Sequence, residues 1–192
     1  APIEIGLDDI TYTGPHLENL AKFYEEMGFK QLRQALDLSG EEAAPVAIDY
    51  TEVEQVTSDM LTEDSFFHFE IFGDNYHTEP IIGFAWGTEG QLYASTDTGL
   101  LQTPIFKEFL EKTPLKVYDF KRAKVLLSHL GITLQNPAFD SRLAKYLLST
   151  VEDNEISTIA SLYSQIALPL DEVVYGKGAK KAIPEKAVLL EH

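Results

Sequence analysis

The residues best placed to do chemistry are His68 and Glu70, in the run Ser65-Phe-Phe-His-Phe-Glu-Ile-Phe72. Side chains of an extended strand alternate between its faces, so His68, Glu70 and Phe72 project to the same side. Two carboxylates at i and i+2 would let one strand feed a pair of divalent ions about 3.5–4 Å apart, which clamp the attacking and leaving oxygens of a phosphoryl transfer. Here only Glu70 is a carboxylate. The mixed His/Glu pair has donors for a single metal; read as structure alone, it is one His and one Glu on a strand face. Asp74, His77 and Glu79 form a second cluster just after this strand, readable as a loop metal site or as a solvated turn. Other chemistries are excluded. The chain has no cysteine, hence no thiol nucleophile, disulfide or thiolate metal site. No Gly-x-Ser-x-Gly occurs, and Gly176-Lys-Gly178 lacks the spacing and following Ser/Thr of a phosphate loop. Phe66, Phe67, Phe69 and Trp86 read as core rather than as a base-stacking platform, because no basic residue accompanies them.

The elements that must position these residues are legible from pattern. Leu17, Leu20, Ala21, Phe23, Tyr24 and Met27 make an apolar stripe of helical period after Gly14-Pro15, with Gly28 as the stop. Residues 29–36 add a turn or two, and 37–45, small, polar and broken by Gly40 and Pro45, read as a linker. Thirty-six residues are too few to own a core. Beyond the linker, 46–55 alternates as an edge strand and 58–63 is a short helical turn. Three antiparallel strands follow at 65–72, 81–86 and 91–95, joined by short turns at Gly73-Asp-Asn75 and Thr88-Glu-Gly90. Thr103 and Pro104 start a helix to Lys112; 115–118 is a short strand; Asp119 caps a helix ended by Gly131; 132–134 is a strand. A helix over 139–149 has Leu143, Tyr146 and Leu147 on one face. Residues 155–166 are helical, 173–182 form a Gly- and Lys-rich loop, and Pro184 opens a last helix. The order predicts an α/β layer with a mixed sheet flanked by helices.

Composition narrows the partners. The 192 residues carry 31 Asp and Glu against 15 Lys and Arg, a formal charge of −16. Residues 34–106 hold 14 acids and no Lys or Arg, whereas 107–192 are nearly balanced, with 11 acids and 12 bases. Phosphate neutralisation supplies most nucleic-acid affinity, so the middle of the chain repels a DNA backbone. The candidates for touching DNA are the basic clusters Lys121, Arg122 and Lys124, and Lys177, Lys180 and Lys181; the plainer reading is solvated faces. No basic-then-apolar leader and no run of about 18 apolar residues occurs, which argues against secretion and membrane spanning and for a cytoplasmic protein.

Taken in order, several segments resemble the 3′–5′ exonuclease domain of the bacterial family A (polymerase I) DNA polymerases. Val117-Tyr-Asp-Phe-Lys-Arg-Ala-Lys and Leu130-Gly-Ile-Thr-Leu are similar to the second exonuclease motif and the strand after it. Ala138-Phe-Asp-Ser-Arg-Leu-Ala-Lys-Tyr-Leu-Leu resembles the helix that follows, and Glu172-Val-Val-Tyr-Gly-Lys-Gly a loop found in the branch with degenerate exonuclease domains. Ile3-Glu-Ile-Gly-Leu-Asp-Asp-Ile and residues 17–29 look like the tail of a preceding 5′ nuclease domain.

The resemblance implies a ribonuclease H-like exonuclease fold over 46–192, C-terminally truncated, a linker at 37–45 and a nuclease tail at 1–36. It also implies where catalysis would sit. The family's first motif is Asp-x-Glu, and this chain has His68-Phe69-Glu70. The metal-binding Asp of the second motif falls on Ala123, with Asp119 four residues earlier; the third motif would lie beyond His192. The expectation is therefore a vestigial site at His68, Glu70 and Ala123, with no catalytic residues and no cofactor. Glu70 is the sole candidate metal ligand. The alternative is an active two-metal proofreading exonuclease using Mg²⁺ or Mn²⁺, completed by residues after the fragment. The implied partners are the polymerase and 5′ nuclease domains of the same chain, DNA in the context of the full protein, and no membrane.

Overall fold

A computed structural model of the chain describes residues 14, 16–27, 29, 48–150, 154–164, 166 and 168–192. The chain divides into two compact units, residues 1–42 and 43–192. The expected linker at 37–45, the stretch 1–13 and the turns at 30–36 lie outside the described residues. In the first unit the apolar stripe forms helix α1 (Leu17–Glu26), and Phe23, Tyr24 and Phe29 meet ring to ring at 6.1–6.5 Å.

The second unit is built on a mixed six-stranded sheet. Its strands are β1 (Thr51–Glu52), β2 (Phe66–Ile71), β3 (Ile81–Thr88), β4 (Gln91–Ser95), β5 (Lys116–Val117) and β6 (Phe139–Asp140), in the order β1-β4-β3-β2-β5-β6. Strands β2, β3 and β4 are the expected antiparallel meander. Parallel β5 and β6 extend it on one side, and β1 lies parallel to β4 on the other. Thr88 pairs with Gln91, so the β3–β4 connection is a two-residue turn whose Gly90 has φ +91°.

Period-two alternation sorts the two faces of the sheet. Phe67, Phe69, Phe84, Trp86 and Tyr93 turn to one side and are buried with Phe106 and Leu110 of helix α2 (Pro104–Lys112) and Leu126 and Leu127 of helix α3 (Phe120–His129). Phe106 stands 5.1 Å from the Trp86 ring and 6.3 Å from Phe67. The buried Trp86 Nε1–H donates to the Met60 carbonyl at 2.8 Å, which removes the cost of hiding that donor. Phe66, His68 and Glu70 turn to the opposite side, where their partners across the ladder are Gly87, Ala85 and Gly83. Three small residues opposite three large ones leave that face open beside β2.

Carboxylate caps start two of the helices. Asp119 Oδ1 accepts from the Arg122 amide and opens α3; Asp140 Oδ1 accepts from the Leu143 amide and opens α4 (Ser141–Leu148). After α4 come α5 (Ile156–Ser164), the single turn α6 (Asp171–Val174) and α7 (Lys186–Glu191). Among the described residues no helix is long and apolar enough to cross a membrane.

Several local expectations are corrected. Residues 132–134 are not a strand: Ile132 and Leu134 are buried, but the position beside β5 is taken by β6, bound through the Ala138 amide to the Leu115 carbonyl. The helix expected over 139–149 begins at Ser141, because Phe139 and Asp140 pair with β5 before Asp140 caps it. Of the stretch expected as a strand over 46–55, residues 46 and 47 lie outside the described residues, and in the rest only Thr51–Glu52 is strand, parallel to β4, with the Val53 amide still donating to the Ala94 carbonyl. The loop over 173–182 contains the end of α6 and a 3-10 turn, Gly178–Lys180. Thr103 occupies the N-cap position of α2, but its hydroxyl donates to the Leu100 carbonyl and makes no cap bond.

Two substitutions test this packing. Leu127→Ala, at a side chain with 0% exposure, is expected to cost about 2–5 kcal/mol in chemical denaturation. Gly87→Ala is expected to cost more than about 1 kcal/mol, because Gly87 has φ +153° and an added Cβ would lie 2.2 Å from the Gln91 carbonyl oxygen. An unchanged midpoint in either variant would contradict the packing described.

Candidate functional site

Glu70 sits on the open face of β2, and its carboxylate is the point on which nearby groups converge. Oε2 accepts from His68 Nε2 at 2.8 Å. The Tyr175 hydroxyl donates to Oε1 at 3.0 Å. Arg122 Nη2 lies 3.8 Å from Oε2 and also donates to the Phe69 carbonyl at 3.4 Å. His68 and Glu70 meet because alternation puts them on one face; the other two partners arrive from separate elements. Arg122 is carried by α3, whose Asp119 cap fixes its first turn. Tyr175 follows α6 and is 3% exposed, its ring edge-on to Phe72 at 5.6 Å.

The electrostatics follow from this cage. Burial is the largest single influence on Glu70 and pushes its carboxyl up; the His68 bond and charge, the Arg122 guanidinium and the Tyr175 hydroxyl together prevail, and hold it below the ordinary Glu range. Burial, and then the Glu70 charge and hydrogen bond, push the Tyr175 phenol far above its usual value, so it stays a donor. Tyr118 is pushed up to about 12, chiefly by burial and then by Glu155, and its hydroxyl donates to the Asn154 carbonyl at 2.6 Å. Among the described residues Arg122 Nε is buried without a hydrogen-bond partner, and the guanidinium is held by Glu70 and the Phe69 carbonyl.

The other candidates are placed differently. Ala123 is buried at 4% exposure beside a small cavity of about 10 Å³ bordered by Phe67, His68 and Asp119. Asp119 is engaged in its cap and in an ion pair with Arg142. Lys121, Lys124 and Lys180 are exposed, the second with its ammonium 6.0 Å from the Phe120 ring centre. Lys177 pairs with Glu172, and Lys181 lies over the Phe72 ring at 5.6 Å. Arg122, grouped by sequence with the surface lysines, is turned inward to Glu70. Asp74, His77 and Glu79 do not form a metal cluster, and among the described residues no group of three or more His, Asp or Glu is arranged to hold a metal ion. The donor set at Glu70 therefore does not fit divalent Mg²⁺ or Mn²⁺, which require several converging oxygens: β2 contributes one carboxylate, and both of its oxygens are already engaged.

A cavity of about 540 Å³ opens beside Glu70 over the small residues Gly83, Ala85 and Ala94. Leu168, Leu170, Leu189 and Leu190 also line it. Four carboxylates border it, Glu70, Glu155, Asp171 and Glu172, against one guanidinium, Arg122. Sequence reading found His68 and Glu70 but missed Tyr175, for which no local signal exists because it is 105 residues from Glu70. The inward turn of Arg122 had a signal, since it is the third residue after the Asp119 cap and adjoins buried Ala123.

A mixed sheet with an antiparallel meander, parallel extension strands and an acidic residue on the opening strand of the meander is the architecture of the ribonuclease H-like nucleases. The chain belongs to the family described as DNA polymerase I, ribonuclease H-like domain, which it matches over residues 67–192. Over its whole length it is 64% identical to DNA polymerase I of Streptococcus pneumoniae (strain ATCC BAA-255 / R6), 36% identical to that of Bacillus subtilis (strain 168), and 34% identical to that of Geobacillus stearothermophilus. It spans only about 22% of the length of the first and third of these and 23% of the second. Among solved structures, Brucella melitensis NrnC superposes with TM-score 0.56 at 16% identity, covering 73% of this chain and 68% of that one. NrnC bound to pGG gives 0.52 at 17% identity, covering 72% and 68%. These likenesses establish the fold.

The caged carboxylate has a pH signature. A carboxyl whose folded-state value is lowered contributes stability that is full above the ordinary Glu range and lost as pH falls through the lowered value. Thermal melts between pH 7 and pH 3 should therefore show an acid loss that shrinks in Glu70→Gln. An identical pH profile in the variant would show that the cage does not hold the ionised form. At pH 7, Tyr175→Phe is expected to cost about 1.5–3 kcal/mol, the range for a hydrogen bond to a charged group.

Proposed function

We propose that this region is a non-catalytic, exonuclease-like module of a DNA polymerase I polypeptide, which joins an upstream 5′ nuclease to a downstream polymerase in DNA replication and repair. In that setting residues 1–36 are the tail of the nuclease, 37–45 a linker and 46–192 the exonuclease-like domain, continued by chain beyond the fragment, and the protein works in the cytoplasm. Exposed Lys121, Lys124 and Lys180 are the groups through which this region would reach DNA held by the rest of the polypeptide.

One observation carries the reading: the carboxylate on the opening strand of the meander is satisfied by protein groups. In a two-metal phosphoryl transfer, carboxylates hold two cations that stabilise the attacking and leaving oxygens. Here His68, Tyr175 and Arg122 surround Glu70, so the positive charge facing it is a built-in guanidinium. Ala123 offers no oxygen where the resemblance would place a second ligand. The bordering carboxylates further oppose a phosphate chain in the absence of divalent ions.

The test is a Mn²⁺ titration by calorimetry together with digestion of 3′-labelled single-stranded DNA. No binding heat and intact label are expected. Metal-dependent release of nucleotides that is lost in Glu70→Ala would overturn the reading in favour of an active proofreading exonuclease. The double variant His68→Asp, Ala123→Asp removes one member of the cage and supplies two carboxylates; it is expected to gain measurable Mn²⁺ binding, and failure to do so would count against the placement of Ala123 at the metal position.

A further inference from the structure

The cavity beside Glu70 has the size and lining of a small-molecule site. At about 540 Å³ it falls within the roughly 300–1,000 Å³ typical of such sites. The room comes from the sheet, where Gly83, Ala85 and Ala94 present nothing larger than a methyl group. Ile156 and Pro169 join the four leucines in the lining. Leu189 comes close to the sheet, with its Cδ2 3.8 Å from where a Cβ on Gly83 would lie, so α7 meets β3 there. An apolar body placed among these groups leaves water on entering, which is the main source of affinity in a site of this kind.

Charge selects the occupant. Glu70, Glu155, Asp171 and Glu172 border the cavity, against Arg122 as its one guanidinium, and Arg122 is turned to Glu70. Lys177, which does not line the cavity, pairs with Glu172. These groups leave the border negative on balance, so it attracts cations and repels anions. The Asp171 side chain is 68% exposed, and a cation beside it keeps much of its hydration instead of meeting the cost of burial. We propose that the cavity binds a small cationic amphiphile: an alkyl body against Ala85, Ala94 and the leucines, ending in a protonated amine at Asp171 and Glu155. The body supplies the affinity. The exposed carboxylates supply the choice of head group and little more, because ion pairs in contact with water are weak. The proposal goes beyond the non-catalytic reading and asks no ligation from Glu70.

Three probes with one body and different heads test it: n-octylammonium, 1-octanol and n-octanoate, titrated by calorimetry into the 192-residue chain. His192 lies 3.7 Å from Asp171 and competes for it when protonated, so the titrations are run at about pH 8, above the ordinary imidazole range. At low salt octylammonium should bind tightest and octanoate weakest, about tenfold apart, and added salt should narrow the gap. Ala85→Phe, which puts a ring into the space, should weaken all three probes by about tenfold or more. Because that ring could disturb the sheet, Asp171→Asn with Glu155→Gln provides a second variant. It should bring octylammonium down to the affinity of octanol and leave octanol unchanged, an outcome that loss of the fold would not produce. Absence of saturable octylammonium binding would overturn the proposal, as would undiminished preference for the ammonium head in the double variant. Tighter binding of octanoate than of octylammonium would also overturn it, by making an anion that reaches Arg122 the occupant. Nuclease activity on 3′-labelled DNA would sink the non-catalytic reading while leaving these affinities as they are, so the two failures are separable.

Discussion

The Glu70 carboxylate is the constraint around which the site is arranged. It lies on a strand flanked by apolar residues, where an unpaired ion would be costly, and the fold answers with three partners from three places in the chain. Each partner is in turn held. Arg122 is set by the Asp119 cap, Tyr175 by burial against Phe72, and His68 by its register opposite Ala85. Among the described residues, removing the carboxylate would leave Arg122 with the Phe69 carbonyl, and its Nε already has no partner. Carboxylate, imidazole, phenol and guanidinium are therefore interdependent.

This arrangement commits the carboxylate to the protein's own groups. A catalytic carboxylate must present free lone pairs to a cation that comes and goes with substrate. A cation built into α3 makes that exchange unnecessary and ties the helix to the sheet. The small residues of β3 and β4 still leave the cavity beside Glu70, yet its border is acidic and leucines line it.

Helix α4 turns its apolar stripe outward, with Leu143, Tyr146 and Leu147 exposed. The core lies between the sheet and α2 and α3, and α4 does not contribute apolar residues to it; its buried member is Lys145. Its sequence periodicity was plain, but periodicity says only that two faces differ. Which one meets the core is decided by the capping Asp140 and by the pairing of β6 with β5, which together fix the rotation of the helix.

Local physics made much of the fold readable in the sequence. The β2–β4 meander follows from dense apolar alternation and from Gly90 in a two-residue turn, and α3 follows from an aspartate cap and a closing Gly131. His68 and Glu70 share a face by the period of a strand. What local signals could not decide was which backbone segment would pair beside β5: residues 132–134 have strand-like alternation, but 139–140 take the edge. Nor could they bring Tyr175 to Glu70 across 105 residues, or turn Arg122 away from the lysines beside it. Alternation and capping act within a few residues and are written in the chain itself. Edge pairing and the closure of the carboxylate's cage depend on where the completed sheet leaves room, and that exists only once the elements have packed.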